Sequence, residues 1–471
     1  MKLKTYKFHR IIDCEKNSYW LYKLAKKNVL TKHTFENFTL SNLSMIRVIE
    51  LSFTHLTKIQ AVGIPLQICG FDILCSARTG SGKTLTFAVP MIELIHTLNW
   101  KIENGTAGII LSPTRELTLQ NYYIFKDLLK YHKIKVGIFM GGANRKTEIF
   151  KIKTGLVILT ATPGRLLDHL KSCKELIVKN LQILVIDEAD RCMEIGFENE
   201  MFEIFDLLPL NRQTIMLSAT QTKNIKNLID KSFKKKPVFF AVDSIRNISV
   251  PNIKQGFTVL NQDEKVGLLI SIIKKNKGKK VIVFFSSCNE VKFFSSLFRS
   301  IKIAVQDLHG KQKQYKRTSV FFSFCNSKSS ILFCTDIAAR GLDFPMIDWI
   351  IQFSAPTDPK EYIHRIGRTG RGSTGKGYSL VFIFPSEIGF LRYLKKNGFI
   401  LEEFRFPIHN ILFLNSKISN LLKKNYFLSK LGKEAFQSFM SSYKNHFLKE
   451  IFDSTKLNVK RISVCYGMDV N

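Results

Sequence analysis

DILCSARTGSGKTLTFAVPMIELI, residues Asp72 to Ile95, sets an apolar strand, a glycine-rich turn and an apolar helix in one unbroken run. Ile73 to Cys75 are continuously hydrophobic, as in a strand covered on both faces. Gly80 and Gly82 permit left-handed backbone angles, which let successive N–H groups converge on a phosphate. Lys83 adds a positive charge, Thr84 offers a hydroxyl to Mg²⁺, and the helix aims the positive end of its dipole at the same point. With Thr79 and Ser81 completing the turn, this is a phosphate-binding loop in the context that such a loop requires. Ala77 stands where the general motif begins with glycine.

Around this stretch, short apolar runs alternate with helical patterns. DILCSA, GIILS, VGIFM, LVILTA, ILVID and TIMLSA, between about Thr57 and Phe240, read as parallel strands covered by helices on both faces. A second set, VIVFFSS, IAVQDL, SILFCTD, WIIQF and YSLVFIF, falls between about Gly256 and Pro385. The polar stretch from Val242 to Gln255 reads as a linker. After Pro385 the pattern turns helical, with Phe436, Phe439, Tyr443 and Phe447 at helical spacing. Packing of that face against the second domain is favoured over an RNA-stacking surface. The expected organisation is α/β: an N-terminal extension over 1–34, a first domain over 35–241, a linker over 242–255, a second domain over 256–394 and a helical C-terminal extension over 395–471.

Asp187-Glu-Ala-Asp190 follows the buried run ILVI, so its carboxylates emerge at the sheet edge that carries the phosphate loop. Asp187 is expected to hold a metal through its water shell, and Glu188 to orient and deprotonate an attacking water. Composition agrees. Subtracting 38 acidic from 71 basic side chains leaves +33, which suits a polyanionic partner, although charge alone also fits a merely basic protein. A chain 45% hydrophobic is not largely disordered. The nine cysteines show no C-x-x-C spacing and read as reduced intracellular thiols. No window approaches the ~20 apolar residues needed to span a bilayer, so a soluble protein without membrane association is expected.

The ordered set formed by the phosphate loop, PTREL (Pro113 to Leu117), TPGR (Thr162 to Arg165), DEAD, Ser218-Ala-Thr220, ARGLD (Ala339 to Asp343) and HRIGRTGR (His364 to Arg371) resembles the DEAD-box RNA helicases. The resemblance, over about Phe35 to Pro385, implies two tandem RecA-like domains with ATP and RNA bound across their cleft. It implies that Phe35 and Gln60 recognise adenine, although Ser52 and Leu56 stand where the family commonly has Gly and Pro. Asp343 is implied near the ribose, and Arg368 and Arg371 are implied as arginine fingers. Ser218 and Thr220 are implied to couple hydrolysis to unwinding. The implied RNA contacts are Arg115, Gly142, Thr162 and Arg165 on the first domain, and Arg317, Thr335, Arg340 and Gly341 on the second.

DEADRCMEIGFENEM, VIVFFSSCNEVKFF, HGKQKQYKRTSVFFSFCN and the tail from NYFLSKLGKEAF to SVCYGMDVN look like the nucleolar subfamily that acts in ribosome assembly. That likeness implies remodelling of short duplexes in pre-rRNA, mainly for the large subunit, among pre-ribosomal proteins in a nucleolus or the equivalent part of a relict nucleus, by an enzyme monomeric in its cycle. An ATP-gated RNA clamp that need not unwind is a competing expectation, and a DNA-processing helicase a weaker one.

Overall fold

The protein is described here as a computed structural model covering residues 33–38, 40–77, 81–218, 223–241, 253–336, 344, 347–356, 359–370, 376–406 and 415–468. The chain divides into two compact units, Met1–Ser244 and Ile245–Asn471. Among the described residues no helix is long and apolar enough to cross a membrane.

In the first unit β1 (Ile73–Ser76), β2 (Gly108–Leu111), β3 (Val136–Phe139), β4 (Ile158–Ala161), β5 (Ile183–Ile186), β6 (Gln213–Ser218) and β7 (Val238–Ala241) form one sheet, in the order β3-β4-β2-β5-β6-β1-β7. Every pairing is parallel. Because side chains alternate across a strand, Ile183 and Val185 enter one hydrophobic cluster while Leu184 and Ile186 enter another. Burial on both faces is why the central strands are continuously apolar in sequence. β7 was not among the expected strands. At the edge of the described sheet it pairs with β1, and only Phe240 of its four apolar residues is buried, Phe239 being 47% exposed, so a short run outside the doubly covered centre was passed over.

The second unit repeats the plan with β8 (Ile253–Val259), β9 (Lys280–Phe284), β10 (Gln306–Leu308), β11 (Ser330–Cys334), β12 (Trp349–Gln352), β13 (Gly377–Ile383) and β14 (Glu402–Glu403), ordered β10-β11-β9-β12-β13-β8-β14. Again all pairings are parallel. Two expectations are corrected here. Residues 253–255 of the expected linker belong to β8, where Ile253, Lys254 and Gln255 pair with Gly377, Tyr378 and Ser379. Lys254 and Gln255 sit between buried Ile253 and buried Gly256, and their polarity hid the strand. Likewise the region expected to be purely helical after 394 contributes β14, exposed at the sheet edge and paired with Gly256 and Phe257.

The C-terminal helices Asn415–Lys424, Tyr426–Lys444 and Val459–Cys465 share the second unit's core. Phe439 and Tyr443 are 6% exposed and Phe436 packs partly buried beside them, as the helical spacing predicts. Phe447 departs from that expectation: it lies beyond the helix end and is 77% exposed. Tyr466 packs against Phe293 and Phe294 and donates its hydroxyl to buried Glu290 at 2.9 Å. Glu290 also accepts the Ser287 N–H at 3.1 Å. Nearby, the buried ammonium of Lys265 lies 4.2 Å from the Phe384 ring centroid. Removing a partner of a buried carboxylate costs about 1–3 kcal/mol. Tyr466→Phe is therefore expected to lower the melting transition of the second unit, whereas Phe447→Ala should shift it by less than about 0.5 kcal/mol; scanning calorimetry of the full chain reads both.

Candidate functional site

In the first sheet the strand order sorts the expected site residues into two neighbourhoods at the carboxyl edge. β5, β6 and β1 are adjacent; they lead to Asp187 and Glu188, end at Ser218, and lead to the phosphate loop. Ser218 lies in register with Ser76, the last residue of β1. β3, β4 and β2 are adjacent on the other half and lead to Gly142, Thr162 and Arg115.

On the phosphate-loop half, Gly82 has φ 92° and caps the helix Lys83–Thr97. A Cβ there would meet the Gln60 Nε2 at 2.7 Å, so both the backbone angle and the close approach require glycine. The Gln60 amide is tied at both ends: its oxygen accepts from the Thr57 N–H at 2.9 Å, and its Nε2 donates to the Gly82 carbonyl at 3.2 Å. Each end retains capacity for one further hydrogen bond. Ser81, Lys83 and Thr84 are half-buried at the helix start. Phe35 lies in the core, edge-on to Phe38. The Leu56 N–H, which a proline would lack, donates to the His33 carbonyl and holds that segment against the loop before Gln60. Ser52, at the position where glycine was expected, has φ 59°.

Asp187 is buried; its N–H bonds the Leu111 carbonyl at 2.9 Å, and its carboxylate accepts from Asn121 at 3.3 Å. Burial pushes its pKa up, against the opposing pull of the Lys83 charge and the Asn121 amide. Asn121 also donates to buried Ser112 at 3.1 Å. Neither Ser112 nor Asn121 was singled out from sequence, since no spacing rule pairs them with residue 187. Glu188 adopts φ 47° and ψ 53°, a left-handed conformation costing a non-glycine residue roughly 1–2 kcal/mol. Such a cost at the end of a central strand marks a residue held for its position.

Across the sheet, the Arg115 guanidinium lies over the Gly141–Gly142 turn: a Cβ on Gly142, where φ is 82°, would come within 2.8 Å of Nη1. Thr162 precedes the helix Pro163–Ser172 and bonds the Phe139 carbonyl through its N–H at 3.0 Å. Arg165 is already engaged, donating to Glu148 at 2.7 Å, to Asp168 at 3.4 Å and to the Ala143 carbonyl at 3.0 Å. Glu148 also meets His169 at 2.7 Å and accepts from the Met140 N–H at 3.2 Å. Although burial pushes the Glu148 pKa up, His169 and Arg165 hold it below the usual value. Arg165 thus fastens the Gly142 turn to the following helix. Glu148 and His169 were not anticipated.

In the second unit β10 and β11 are neighbours, and the Thr335 N–H donates to the Leu308 carbonyl at the shared edge. Arg317 is half-buried in the helix Gln314–Asn326. Arg365, unassigned from sequence, is 1% exposed, grips Asp336 through two bonds of 2.6 and 2.8 Å, and bonds the Ser354 carbonyl at 2.8 Å. Arg368 donates its Nε–H to the His364 carbonyl at 3.2 Å. Thr79, Gly80, Thr220, Arg340, Gly341, Asp343 and Arg371 lie outside the described residues.

Two substitutions test these supports through the melting of the first unit. Glu148→Ala removes the carboxylate shared by Arg165 and His169, leaving Arg165 only Asp168 and the Ala143 carbonyl, and is expected to cost about 3 kcal/mol. Ser52→Gly relieves a left-handed serine and is expected to stabilise by about 1 kcal/mol.

Comparison with known proteins matches residues 57–228 to the DEAD/DEAH box helicase family and 264–373 to the helicase conserved C-terminal domain. Residues 425–470 match the C-terminal extension of SPB4-like ATP-dependent rRNA helicases. The chain is 46% identical over 438 residues to the ATP-dependent RNA helicase HAS1 of Saccharomyces cerevisiae, covering 93% of this chain and 87% of that one. It is 48% identical over 437 residues to HAS1 of Candida albicans, covering 92% and 77%. Among solved structures, Mss116p bound to single-stranded RNA and AMP-PNP aligns with a TM-score of 0.81 at 26% identity, covering 94% of this chain and 92% of that chain. With both helicase domains in order and near-half identity along almost its whole length, the chain belongs to the DEAD-box family of ATP-dependent RNA helicases.

Proposed function

We propose that this protein uses ATP binding and hydrolysis to remodel short RNA duplexes in pre-ribosomal RNA, chiefly during large-subunit assembly in a nucleolar compartment. The observation that carries the reading is the division of one sheet edge into a phosphate-loop half and a half where Arg115, Gly142 and Thr162 gather. The HAS1 relatives and the SPB4-like match over 425–470 support the ribosomal setting.

On this reading Gln60 reads the adenine edge with the hydrogen-bonding capacity its anchors leave, and Phe35 forms the apolar boundary behind it. Residues 79–84 cradle the phosphates, with Lys83 supplying the charge. Mg²⁺ fits a site made of Asp187, the Thr84 hydroxyl, nucleotide oxygens and water, the sparse protein ligation this ion prefers. A buried carboxylate within reach of the Lys83 charge has the chemistry for that role. Glu188 orients the attacking water and takes its proton. Arg368 and Arg371 stabilise the transferring phosphoryl group, and Asp343 holds the ribose. Arg115, Gly142, Thr162, Arg165, Arg317, Thr335, Arg340 and Gly341 grip phosphates and sugars, Arg165 also keeping the turn beside it in place, and Ser218 and Thr220 couple the two activities. Contacts of this kind carry little base information, so binding is salt-sensitive and directed to RNA by its 2′-OH groups.

An RNA-stimulated ATPase assay with purified full chain tests this. Glu188→Gln is expected to lower kcat about 10²- to 10⁴-fold while RNA binding with an ATP analogue persists; Lys83→Ala is expected to abolish nucleotide binding. Hydrolysis insensitive to both RNA and Glu188→Gln would overturn the proposal. Crosslinked RNA lacking pre-rRNA sequence would overturn the ribosomal part alone.

A further inference from the structure

The aromatic residues that the C-terminal extension leaves in solvent gather at one corner. Asn425 links the helix Asn415–Lys424 to the helix Tyr426–Lys444, and its side chain accepts from the Leu428 N–H at 3.0 Å, capping the second helix. The two residues after the cap are Tyr426, 85% exposed, and Phe427, 66% exposed. Helical spacing then sorts this helix into two stripes. Leu428, Gly432, Ala435, Phe439 and Tyr443 are buried against the second unit. Tyr426, Lys430, Lys433 and Gln437, at intervals of four, three and four, are all exposed.

Isolated exposed apolar side chains are ordinary on any surface and need no explanation. Two adjacent rings at a fixed corner are different, because their burial against the core is precluded by the cap and by the opposite stripe. Their charged surroundings are one-sided. Lys424 precedes the corner, Lys430 follows both rings by three and four positions, and Lys433 lies one turn further. The exposed stripe carries no carboxylate; the nearest on the helix, Glu434, is only half-exposed and seven positions beyond Phe427. Part of this charge is accounted for by lysines favouring a helix C-terminus, as at Lys424. Lys430 and Lys433, in the first half of the next helix, receive no such benefit.

Flat apolar rings interleaved with cations match the chemistry of unpaired nucleotides, whose bases stack while their phosphates meet ammonium groups. An apolar protein partner would complement the rings and leave the lysines unpaired. We propose that Tyr426 and Phe427, with Lys424, Lys430 and Lys433, form a second RNA contact on the C-terminal extension. It takes single-stranded RNA by stacking, in addition to the sheet-edge residues. The proposal rests on the RNA-helicase reading above. It gives the enzyme a hold on flanking RNA that does not depend on the nucleotide cycle, because none of these side chains belongs to the phosphate or catalytic set.

The test compares full-length wild type with Tyr426→Ala/Phe427→Ala and Tyr426→Trp/Phe427→Trp. Both positions are exposed, and unchanged melting confirms the fold. With single-stranded RNA long enough to extend beyond the core site, in the absence of nucleotide, the alanine pair is expected to weaken binding about tenfold or more, and the tryptophan pair to restore it. RNA-stimulated hydrolysis should show a raised half-saturating RNA concentration with kcat unchanged. An oligomer carrying abasic sites should bind wild type and the alanine pair alike. If the alanine pair binds base-containing RNA as wild type does, the stacking contact is refuted while the helicase reading stands; an alanine pair that keeps wild-type RNA affinity but loses a purified pre-ribosomal protein would assign the corner to protein docking. Failure of every variant, wild type included, to bind RNA would refute the helicase reading itself.

Discussion

The constraint on which the rest depends is the parallel register of each sheet. In a parallel sheet every strand delivers its following loop to the same edge, so residues far apart in sequence meet without any loop having to reach. In the first unit this brings residues 76–77, 81–84, 187–188 and 218 together across β1, β5 and β6, and 115, 142 and 162 together across β2, β3 and β4. The strand order decides which neighbourhood each loop joins. β5 lies between the two halves, next to β2 on one side and β6 on the other, and the hydrogen bonds of Asp187 follow from that. Its backbone N–H reaches Leu111 on β2, while its carboxylate meets Asn121 from the helix that begins with Arg115. Asp187, on the phosphate-loop half, is thus tied to the neighbouring half through both its backbone and its carboxylate.

Polar groups buried at such an edge need partners, and the way they find them explains several residues that take no part in chemistry. Glu148 gathers Arg165, His169 and the Met140 N–H, fixing the turn that follows β3 to the helix that follows β4. Asp336 and Arg365 make the corresponding tie in the second unit, from the end of β11 to the helix that bears His364. A charge so enclosed is a poor candidate for gripping a ligand, because leaving its partner would strand a buried ion. Arg365, 1% exposed, is enclosed in this way, whereas the Arg115 guanidinium lies over a glycine turn.

How much of this was legible in sequence follows from the range over which each signal acts. Central strands were readable because burial on both faces leaves an unbroken apolar run, and the phosphate loop because its glycines, lysine and following helix are contiguous. β8 and β14 were not, since polar residues break the apolar run, as at Lys254 and Gln255, and β7 was not because its four apolar residues are too short a run at the sheet edge to stand out. The partners of Asp187 and of Arg165 were illegible for another reason. Asn121 is 66 positions from Asp187, and Glu148 is 17 from Arg165, so only the crossovers of the sheet bring them into contact. The aromatic spacing of the C-terminal helix gave the buried face through Tyr443 but overran it at Phe447, because periodicity carries no mark of where the helix stops when no glycine or proline ends it.

The C-terminal extension is better understood as part of the second unit than as an appendage. Tyr466 lies against Phe293 and Phe294, on the helix that follows β9, and donates to Glu290 on that same helix. Phe452 meets Phe390, and Arg461 reaches Asn261 near the end of β8 at 3.0 Å. A second unit ending at β13 would leave two phenylalanine faces in water and a buried carboxylate short of a donor, costs that no isolated sheet of this kind could offset locally. Because the buried stripe of the helix Tyr426–Lys444 is committed to that packing, its opposite stripe is rigidly presented to solvent. The backbone of that stripe is already ordered, so a ligand binding there would have to fix only the side chains themselves, which is the condition under which a few exposed rings and lysines make a usable surface.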